Sequence, residues 1–332
     1  MDSDLLLALV VATALAFDFT NGFHDTANAV ATTVSTRALP PRIAVLIASI
    51  ANFAGAFVST AVASFIWKDL LSPTVDITGR LLIAALLGAI AWNLATWYLG
   101  LPSSSSHALI GGLVGSGLAA AGSSAIQWHG LWDKAVVPAI QSPIIGFLLA
   151  GGIMLAVLWG FRRARPTPLN RGFRLAQIAS GTTMAFFHGT NDAQKTMGVI
   201  TLALASSGHL GSSDTVPRWV IVLSGAAIGI GTYAGGWRIM RTMGTRIFNL
   251  EPPQGFAAQL AATGVLWYTG RVGFPISTTQ VISGSVLGAG ATTRASAVRW
   301  GVAANIVIAW VLTLPAAALV AALIYEMIGP IV

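Results

Sequence analysis

The sequence predicts an all-α polytopic membrane protein with about ten principal membrane segments, some broken or re-entrant, arranged in two inverted-topology repeats. Three observations carry this prediction: the composition, recurring apolar stretches, and a pair of motifs that occurs twice. Only 9% of the 332 residues are charged and 55% are hydrophobic, whereas a soluble domain has about 25% charged residues because water must solvate its surface. The mean hydropathy of +0.75 therefore indicates a surface that faces lipid.

Apolar stretches near the roughly 20 residues that cross a bilayer recur along the whole chain. Breaks between them define ten segments: 4–36, 43–66, 81–100, 102–121, 134–160, 175–204, 217–237, 255–270, 274–291 and 299–328. The first and sixth carry polar residues in mid-course, so we expect each to consist of two half-helices.

The positions of Lys and Arg predict the orientation of these segments. Cytoplasmic loops carry an excess of basic residues, and placing the Arg-rich stretch 161–174 in the cytoplasm puts twelve of the eighteen basic residues on that side. Both termini then lie outside, and five spans per half require oppositely oriented halves. The predicted units are an N-terminal half (1–160), a cytoplasmic linker (161–174) and a C-terminal half (175–332).

Although the net charge is +7, no nucleic-acid partner is predicted, because the basic residues are not clustered in a soluble domain. The chain has no cysteine, which excludes a disulfide framework and a cysteine-based metal site. The partner that the composition implies is the lipid bilayer.

Two motifs occur once in each half, in the same order. Residues 19–25 (FTNGFHD) align with 186–192 (FFHGTND) at an offset of 167, and residues 102–107 (PSSSSH) align with 275–280 (PISTTQ) at an offset of 173. Inverted repeats with a site at interrupted helices are typical of secondary transporters.

The first motif places polar side chains deep in apolar sequence. On a helix, Asn21, Asp25 and Asn28 share one face because they lie at i, i+4 and i+7. The same spacing recurs at His188, Asp192 and Lys195. A carboxylate in a membrane segment is costly and usually marks an ion or substrate path, although a structural carboxylate neutralised by Lys195 is the alternative. Asp18 lies seven residues before Asp25 on the same face, and Ala185 occupies its repeat position. The Asp18 side chain either lines the path or points outward, and the sequence leaves both readings open.

The second motif is a proline followed by hydroxyl side chains. Proline is favoured in the first turn of a helix, and Ser or Thr caps the free N–H groups there. Those N–H groups and the positive end of the helix dipole form an anion site. A plain capped helix is the alternative for either copy alone, but two copies from opposite sides favour a shared anion pocket.

Together the motifs predict symport. An anion beside two carboxylates in a low-dielectric site is repelled by several kcal/mol at about 4 Å. Asp25 and Asp192 must therefore take a proton, bind Na⁺, or accept a divalent metal that arrives with the anion.

These residues resemble the inorganic phosphate transporter (PiT) family, whose signature is a duplicated Gly-Ala-Asn-Asp type motif. The copies here read GFHDTANA at 22–29 and GTNDAQK at 189–195, and the resemblance covers nearly the whole chain. It implies a symporter, not an enzyme, that imports inorganic phosphate, as free phosphate or a metal–phosphate complex, with H⁺ or Na⁺. His24 in place of Asn is similar to the proton-coupled, low-affinity bacterial branch, which implies the bacterial cytoplasmic (inner) membrane.

By position, the resemblance assigns two groups of residues. The cation-coupling group is Asp25, Asp192, Asn21, Asn191 and His24. The phosphate-binding group is Ser104, Ser105, Ser106, Ser277, Thr278, Thr279, Asn28 and Lys195. Asp25 and Asp192 become metal ligands if Na⁺ or a divalent metal binds, and neither a catalytic residue nor a cofactor is expected. Because an unperturbed histidine has a pKa of about 6.5, His24 is predicted to help in proton coupling, with simple hydrogen bonding as the alternative.

Alternatives remain at this point. Sodium coupling and transport of another oxyanion such as sulfate fit the same residues, because hydroxyls and helix termini do not distinguish tetrahedral oxyanions by shape. An intramembrane metal-dependent hydrolase is a remote alternative, since no His-Glu-x-x-His helix is present. A homodimer is compatible with the predicted architecture.

Overall fold

A computed structural model of the chain describes residues 3–73, 75–211 and 215–329. These residues are almost entirely helical, and the described part contains no β-strand beyond one isolated bridge. The helices of the first half are α1 (Ser3–Ser35), α2 (Pro41–Gly55), α3 (Ala61–Lys68), α4 (Gly79–Leu99), α5 (Ser105–Ala121), α6 (Trp128–Leu131) and α7 (Val137–Gly160). Those of the second are α8 (Pro166–Ser206), α9 (Arg218–Ala234), α10 (Trp237–Arg241), α11 (Pro252–Val272), α12 (Thr278–Arg294) and α13 (Trp300–Ile328).

Several of these helices can cross a membrane. Within the described ranges, five stretches are long and apolar enough: Asp4–Ser35, Gly79–Leu99, Ser105–Ala125, Trp128–Gly160 and Trp300–Ile328. The bent pair Arg218–Ala234 and Trp237–Arg246, with an angle of 59° at its break, raises the count to six. The protein is an all-helical, multi-pass membrane protein, and the count of ten segments stays a prediction.

Two expectations about the segments are wrong. Helices α1 and α8 are continuous rather than pairs of half-helices, because their buried polar side chains bond to one another and leave the backbone ladder intact. The second segment, in contrast, is divided into α2 and α3 by residues 56–60. Helix α8 begins at Pro166, where a proline suits the first turn, so its first turns lie within the predicted linker 161–174.

Helices α1 and α8 run antiparallel through the centre of the molecule. The Asn21 side chain donates to Asp192, and the Thr36 hydroxyl donates to Gln177 at 2.7 Å further along the pair. Two clusters of buried apolar side chains lie on either side of their polar middle turns. One cluster contains Phe17 of α1 and the other contains Met184 of α8. The polar turns are therefore sealed between two apolar layers.

The helices that carry the second motif pack in close pairs, each with a helix from the other half of the chain. A Cβ atom at Gly115 of α5 would lie 1.9 Å from the Ala318 oxygen of α13. A Cβ atom at Gly288 of α12 would lie 2.0 Å from the Phe147 oxygen of α7. Only glycine permits such backbone approach, as is usual between membrane helices. The pairs α5–α13 and α7–α12 thus fix the two helix starts that face the middle of α1 and α8.

Candidate ion and anion site

The carboxylates of Asp25 and Asp192 meet where α1 crosses α8, on either side of His188. The His188 Nε2 atom lies 3.9 Å from Asp25 Oδ2 and 3.7 Å from Asp192 Oδ2. One ligand atom from each of these three buried residues lies within 4.8 Å of the others. The Nδ1 atom of His188 is 3.0 Å from Asn52 Oδ1, which holds the ring with Nε2 toward the carboxylates. This group can share a proton or hold a cation.

Asp25 is surrounded by hydroxyl groups and by His24. The Nδ1 atom of His24 is 2.6 Å from Asp25 Oδ1. Hydroxyls from both halves of the chain donate to the same carboxylate, at distances of 3.3, 3.4 and 3.4 Å: Ser105, Thr278 and Thr279. Among the described residues, the only basic side chains paired with Asp25 are His24 and His188. The compensating charge must therefore come from a proton or another mobile cation.

Asp192 has a permanent cationic partner. The Lys195 ammonium donates to Asp192 Oδ1 at 2.6 Å and also to the hydroxyl of Ser106. Both members of the pair are buried, with 1% of the Lys195 side chain and none of the Asp192 side chain exposed. The Asn21 amide donates to the other oxygen, Asp192 Oδ2, at 3.3 Å. A fully buried carboxylate is tolerated when it is paired and hydrogen-bonded in this way.

The hydroxyl groups beside Asp25 belong to two helix hairpins, α4–α5 and α11–α12. Helix α4 is followed by Gly100 (φ +67°) and α11 by Gly273 (φ +86°), and both have the left-handed conformation that glycine adopts without steric cost. A short non-helical segment follows each glycine. Helices α5 and α12 then begin with serine caps, because Ser104 Oγ accepts from the backbone N–H of His107 and Ser277 Oγ accepts from that of Gln280. Both capped starts are buried beside the carboxylates.

Each central helix reaches the hairpin of the opposite half. The Asn28 amide of α1 donates to the hydroxyl oxygens of Thr278 and Thr279, at 3.2 and 2.9 Å. Lys195 of α8 donates to Ser106. In the repeat alignment, Asn28 corresponds to Lys195 and Thr279 to Ser106. These equivalent contacts tie the two hairpins to the two carboxylate-bearing helices.

The structure brings together most of the predicted residues, with Asn191 as the exception. Its amide donates to the backbone oxygens of Phe187 and Leu266, at 2.8 and 2.9 Å. Asn191 thus ties α8 to α11, and its amide hydrogen-bonds to neither carboxylate. The caps Ser104 and Ser277 lie at the site, but their hydroxyl oxygens are already used by backbone N–H groups.

Three residues at the site were not assigned from the sequence. His188 had a signal, because it occupies the repeat position of Asn21. Ser103 lies within the PSSSSH motif, and its hydroxyl is 3.3 Å from His24 Nε2. Thr96 Oγ1 is 3.1 Å from the same nitrogen, but it belongs to an apolar stretch without a motif. Ser103 and Thr96 fix the orientation of the His24 ring.

The charges at the site favour an anion only in company with a cation. Two carboxylates and one ammonium leave a negative excess while both histidines are neutral, and an anion added to it is repelled in a low-dielectric interior. The hydroxyls and the N–H groups at the starts of α5 and α12 are suited to an oxyanion. Since the site residues are nearly inaccessible to solvent, the helices or hairpins must move before a ligand can enter.

Comparison with known proteins identifies the family. Residues 21–321 match the sequence model described as the phosphate transporter family. The chain belongs to the phosphate transporter family.

Two curated relatives match the chain over nearly its whole length. The chain is 50% identical over 329 residues to a "probable low-affinity inorganic phosphate transporter" of Rhizobium meliloti (strain 1021), and the match covers 98% of each chain. It is 44% identical over 328 residues to a protein of the same description from Bacillus subtilis (strain 168), again over 98% of each. A solved structure titled "The sodium-dependent phosphate transporter" is similar with a TM-score of 0.87 and 25% identity, over 99% of this chain and all of that one.

Membership of the phosphate transporter family confirms the resemblance drawn from the duplicated motif. The family and the named relatives are transporters, so the prediction that this family member is not an enzyme is confirmed as well. The hydrolase alternative is thereby removed.

Proposed function

We propose that this phosphate transporter imports inorganic phosphate by symport with protons. The observation that carries the proposal is the environment of Asp25, a buried carboxylate without a lysine or arginine partner beside two hydroxyl-rich helix starts. An oxyanion at those helix starts raises the need for positive charge at Asp25, and a cation at Asp25 removes the repulsion of the oxyanion. Each ligand therefore favours the other, as symport requires.

The proton is supported by His24 and His188. Imidazole exchanges protons near neutral pH, and His24 Nδ1 is already 2.6 Å from an Asp25 oxygen. His188 stands between the two carboxylates. A proton held by these three side chains neutralises the Asp25 half of the site without a metal ion.

The phosphate cradle that we propose lies between the two hairpins. It uses the hydroxyls of Ser105, Ser106, Thr278 and Thr279 and the backbone N–H groups that follow the caps Ser104 and Ser277. Asn28 and Lys195 bind those hydroxyls and are within reach of a phosphate oxygen that replaces them. Lysine and helix N-termini are both common partners of phosphate.

A second candidate is sodium-coupled uptake, or uptake of a metal–phosphate complex. It is favoured by the grouping of ligand atoms from Asp25, His188 and Asp192 within 4.8 Å, and by the sodium-dependent transporter of similar fold. In that case Asp25 and Asp192 supply oxygen ligands and His188 supplies Nε2.

We also propose that the two halves are inverted repeats, 1–160 and 175–332. The antiparallel course of α1 and α8 supports this arrangement. So do the equivalent left-handed glycines Gly100 and Gly273, and the matched helix pairs α5–α13 and α12–α7. Contacts such as Lys134 with Asp69, and Arg299 with the Arg246 oxygen, join residues that the charge pattern predicts to lie on the same side. These contacts agree with the predicted grouping of the loops. On the charge pattern we propose a cytoplasmic 161–174 segment in the bacterial inner membrane with both termini outside; residues 1–2 and 330–332 lie outside the described ranges.

The test is uptake of radiolabelled phosphate into liposomes that contain the purified protein, under a proton gradient, a sodium gradient or neither. Uptake with the proton gradient alone, lost in Asp25→Asn and retained in the exposed-site control Asp76→Asn, is the expected result. Uptake that requires sodium would contradict proton coupling and support the second candidate. No uptake of phosphate under either gradient, with or without a divalent metal, would overturn both and direct the assay to other oxyanions such as sulfate.

A further inference from the structure

Asp18 is a buried carboxylate that the site described so far does not use. It lies on α1 seven residues before Asp25, which is about 10 Å along the helix at roughly 1.5 Å per residue. Its side chain is 0% exposed, and neither carboxylate oxygen has a hydrogen-bond partner in the described part of the chain. An isolated ionised carboxylate in a membrane interior is strongly unfavourable. Asp18 therefore needs a cation or a proton.

The polar groups around Asp18 come from both central helices. Asn21 of α1 and Thr196 of α8 are its polar neighbours, yet neither makes a hydrogen bond to it within 3.5 Å. Both are fully buried, and the oxygen atoms Asn21 Oδ1 and Thr196 Oγ1 also lack partners. The charged groups that act on Asp18 are Asp192 and Lys195 of α8. Since these two form a tight ion pair, they do not compensate the charge of Asp18.

The unpartnered atoms have one chemistry in common. They are two carboxylate oxygens, an amide oxygen and a hydroxyl oxygen, which are the ligands that hard cations prefer. The single formal charge of this set matches a monovalent cation. Of these atoms only the Thr196 hydroxyl oxygen carries a hydrogen, and it has no hydrogen-bond partner in the described part of the chain. A sodium ion or a proton on Asp18 satisfies the carboxylate.

We infer that Asp18, Asn21 and Thr196 form a second site for a monovalent cation, distinct from the Asp25 site. The inference rests on the proposed cation-coupled transport and extends it to a second ion. Asn21 links the two sites, because its amide nitrogen binds Asp192 Oδ2 at 3.3 Å while its oxygen has no partner in the described part of the chain. A cation that fixes the Asn21 amide thereby also positions Asp192.

The second site has no counterpart in the other half. Ala185 occupies the repeat position of Asp18, and Ala29 occupies that of Thr196. The site therefore lies to one side of the carboxylate pair, toward the start of α1. A cation there stands between Asp25 and the side of the membrane at which α1 begins. The cation path is therefore asymmetric, which the repeated residues alone do not make it.

The first experiment measures cation binding by the purified full-length protein. The midpoint of thermal unfolding is followed as Na⁺ is raised at fixed pH, and as pH is lowered without Na⁺. We expect Asp18→Asn to lose part of the cation-dependent rise, and the exposed control Glu326→Gln to match the wild type. A loss confined to the sodium series identifies the ion as Na⁺, and a loss confined to the pH series identifies a proton; either supports the site. Equal rises in Asp18→Asn and wild type would overturn it.

The second experiment counts the cations moved per phosphate in liposomes, with a pH-sensitive dye and with radioactive sodium. Wild type and Glu326→Gln should move one more cation per phosphate than Asp18→Asn, and an unchanged ratio contradicts the inference. If Asp18→Asn fails to fold, Thr196→Val removes one oxygen ligand at constant size. We expect Thr196→Val to weaken the effect of the cation on the apparent phosphate affinity. In couplings between two ligands, one ligand changes the affinity for the other roughly 5- to 150-fold. An unchanged effect would overturn the site.

Failure of the proposed function gives a different pattern. If the wild type moves no phosphate, the proposed symport is wrong, and the unfolding experiment still decides the site by comparing wild type with Asp18→Asn.

Discussion

Asp25 and Asp192 occupy equivalent positions in the two halves, yet their neighbours differ. Asp25 is held by hydroxyls and His24, whereas Asp192 is held by Lys195 and Asn21. Two differences between the aligned motifs create this contrast: His24 stands opposite Asn191, and Asn28 stands opposite Lys195. The comparison teaches that a nearly symmetric scaffold holds one carboxylate paired with a lysine and one whose basic neighbours in the described part of the chain are histidines.

The largest effect on stability is expected when Lys195 loses its carboxylate partner, Asp192. Asp192→Asn leaves the Lys195 ammonium buried and unpaired, which should lower the free energy of unfolding by about 3–5 kcal/mol. The measurement is the unfolding midpoint of the purified protein. The double variant Asp192→Asn/Lys195→Met removes both charges and should recover much of the loss. A single variant as stable as the wild type would show that the pair is not the countercharge we describe.

Asp25→Asn should give the opposite profile, with stability kept and transport lost. The amide retains the shape of the side chain, and its oxygen can still accept from Ser105 and Thr279. Its nitrogen cannot accept from Thr278, which donates to the other carboxylate oxygen, and the amide cannot bind a proton. The cation-driven uptake of phosphate in liposomes should fall by about 100-fold, near the upper range of coupling between two ligands. If Asp25→Asn unfolded the protein as Asp192→Asn does, the contrast between the two carboxylates would be lost.

His24→Asn makes the first half resemble the second at this position. For one coupled proton, the phosphate accumulation ratio at equilibrium should change about tenfold per pH unit of gradient, and His24→Asn should reduce that dependence. The measurement is the accumulation ratio across a series of imposed pH gradients. His129→Asn is the matched control, because the His129 side chain is 91% exposed. If the accumulation ratio depended on the pH gradient equally in His24→Asn and wild type, the role of His24 would be hydrogen bonding alone.

The smallest effect concerns the feature in which the halves agree. Ser104→Ala and Ser277→Ala each remove a helix cap and should each lower the free energy of unfolding by about 1 kcal/mol. The two losses should be similar, since both caps bind the third backbone N–H of a buried helix. Ser124→Ala, at an exposed position, should have little effect. Unequal losses would extend the asymmetry from the carboxylates to the hairpins.

Much of the site was predictable because short-range patterns carry it. The spacing of Asn21, Asp25 and Asn28 places them on one helical face, and that face does meet the second motif. The capped helix starts at Ser104 and Ser277 follow from local chemistry alone.

The remaining features depend on long-range packing. Periodicity does not tell which neighbour a helical face meets, so the contact of Asn191 with Leu266 of α11 could not be predicted. The pairing of Asn28 with Thr279 joins residues 251 positions apart in sequence. The continuity of α1 and α8 was mispredicted because polar side chains suggested breaks, whereas Asn21 and Asp192 satisfy each other across the two helices.

The cross-paired packing of α5 with α13 also bears on how the molecule is assembled during synthesis. Gly115 of α5 approaches the backbone of Ala318, which lies some 200 residues later in the chain. At a synthesis rate of roughly 5–20 residues per second, α5 waits about 10–40 s for its neighbour. During that interval its glycine-lined face meets lipid or the insertion machinery, and the first hairpin is not yet held in place. The site beside the first hairpin can therefore reach its final packing only after most of the chain has been made.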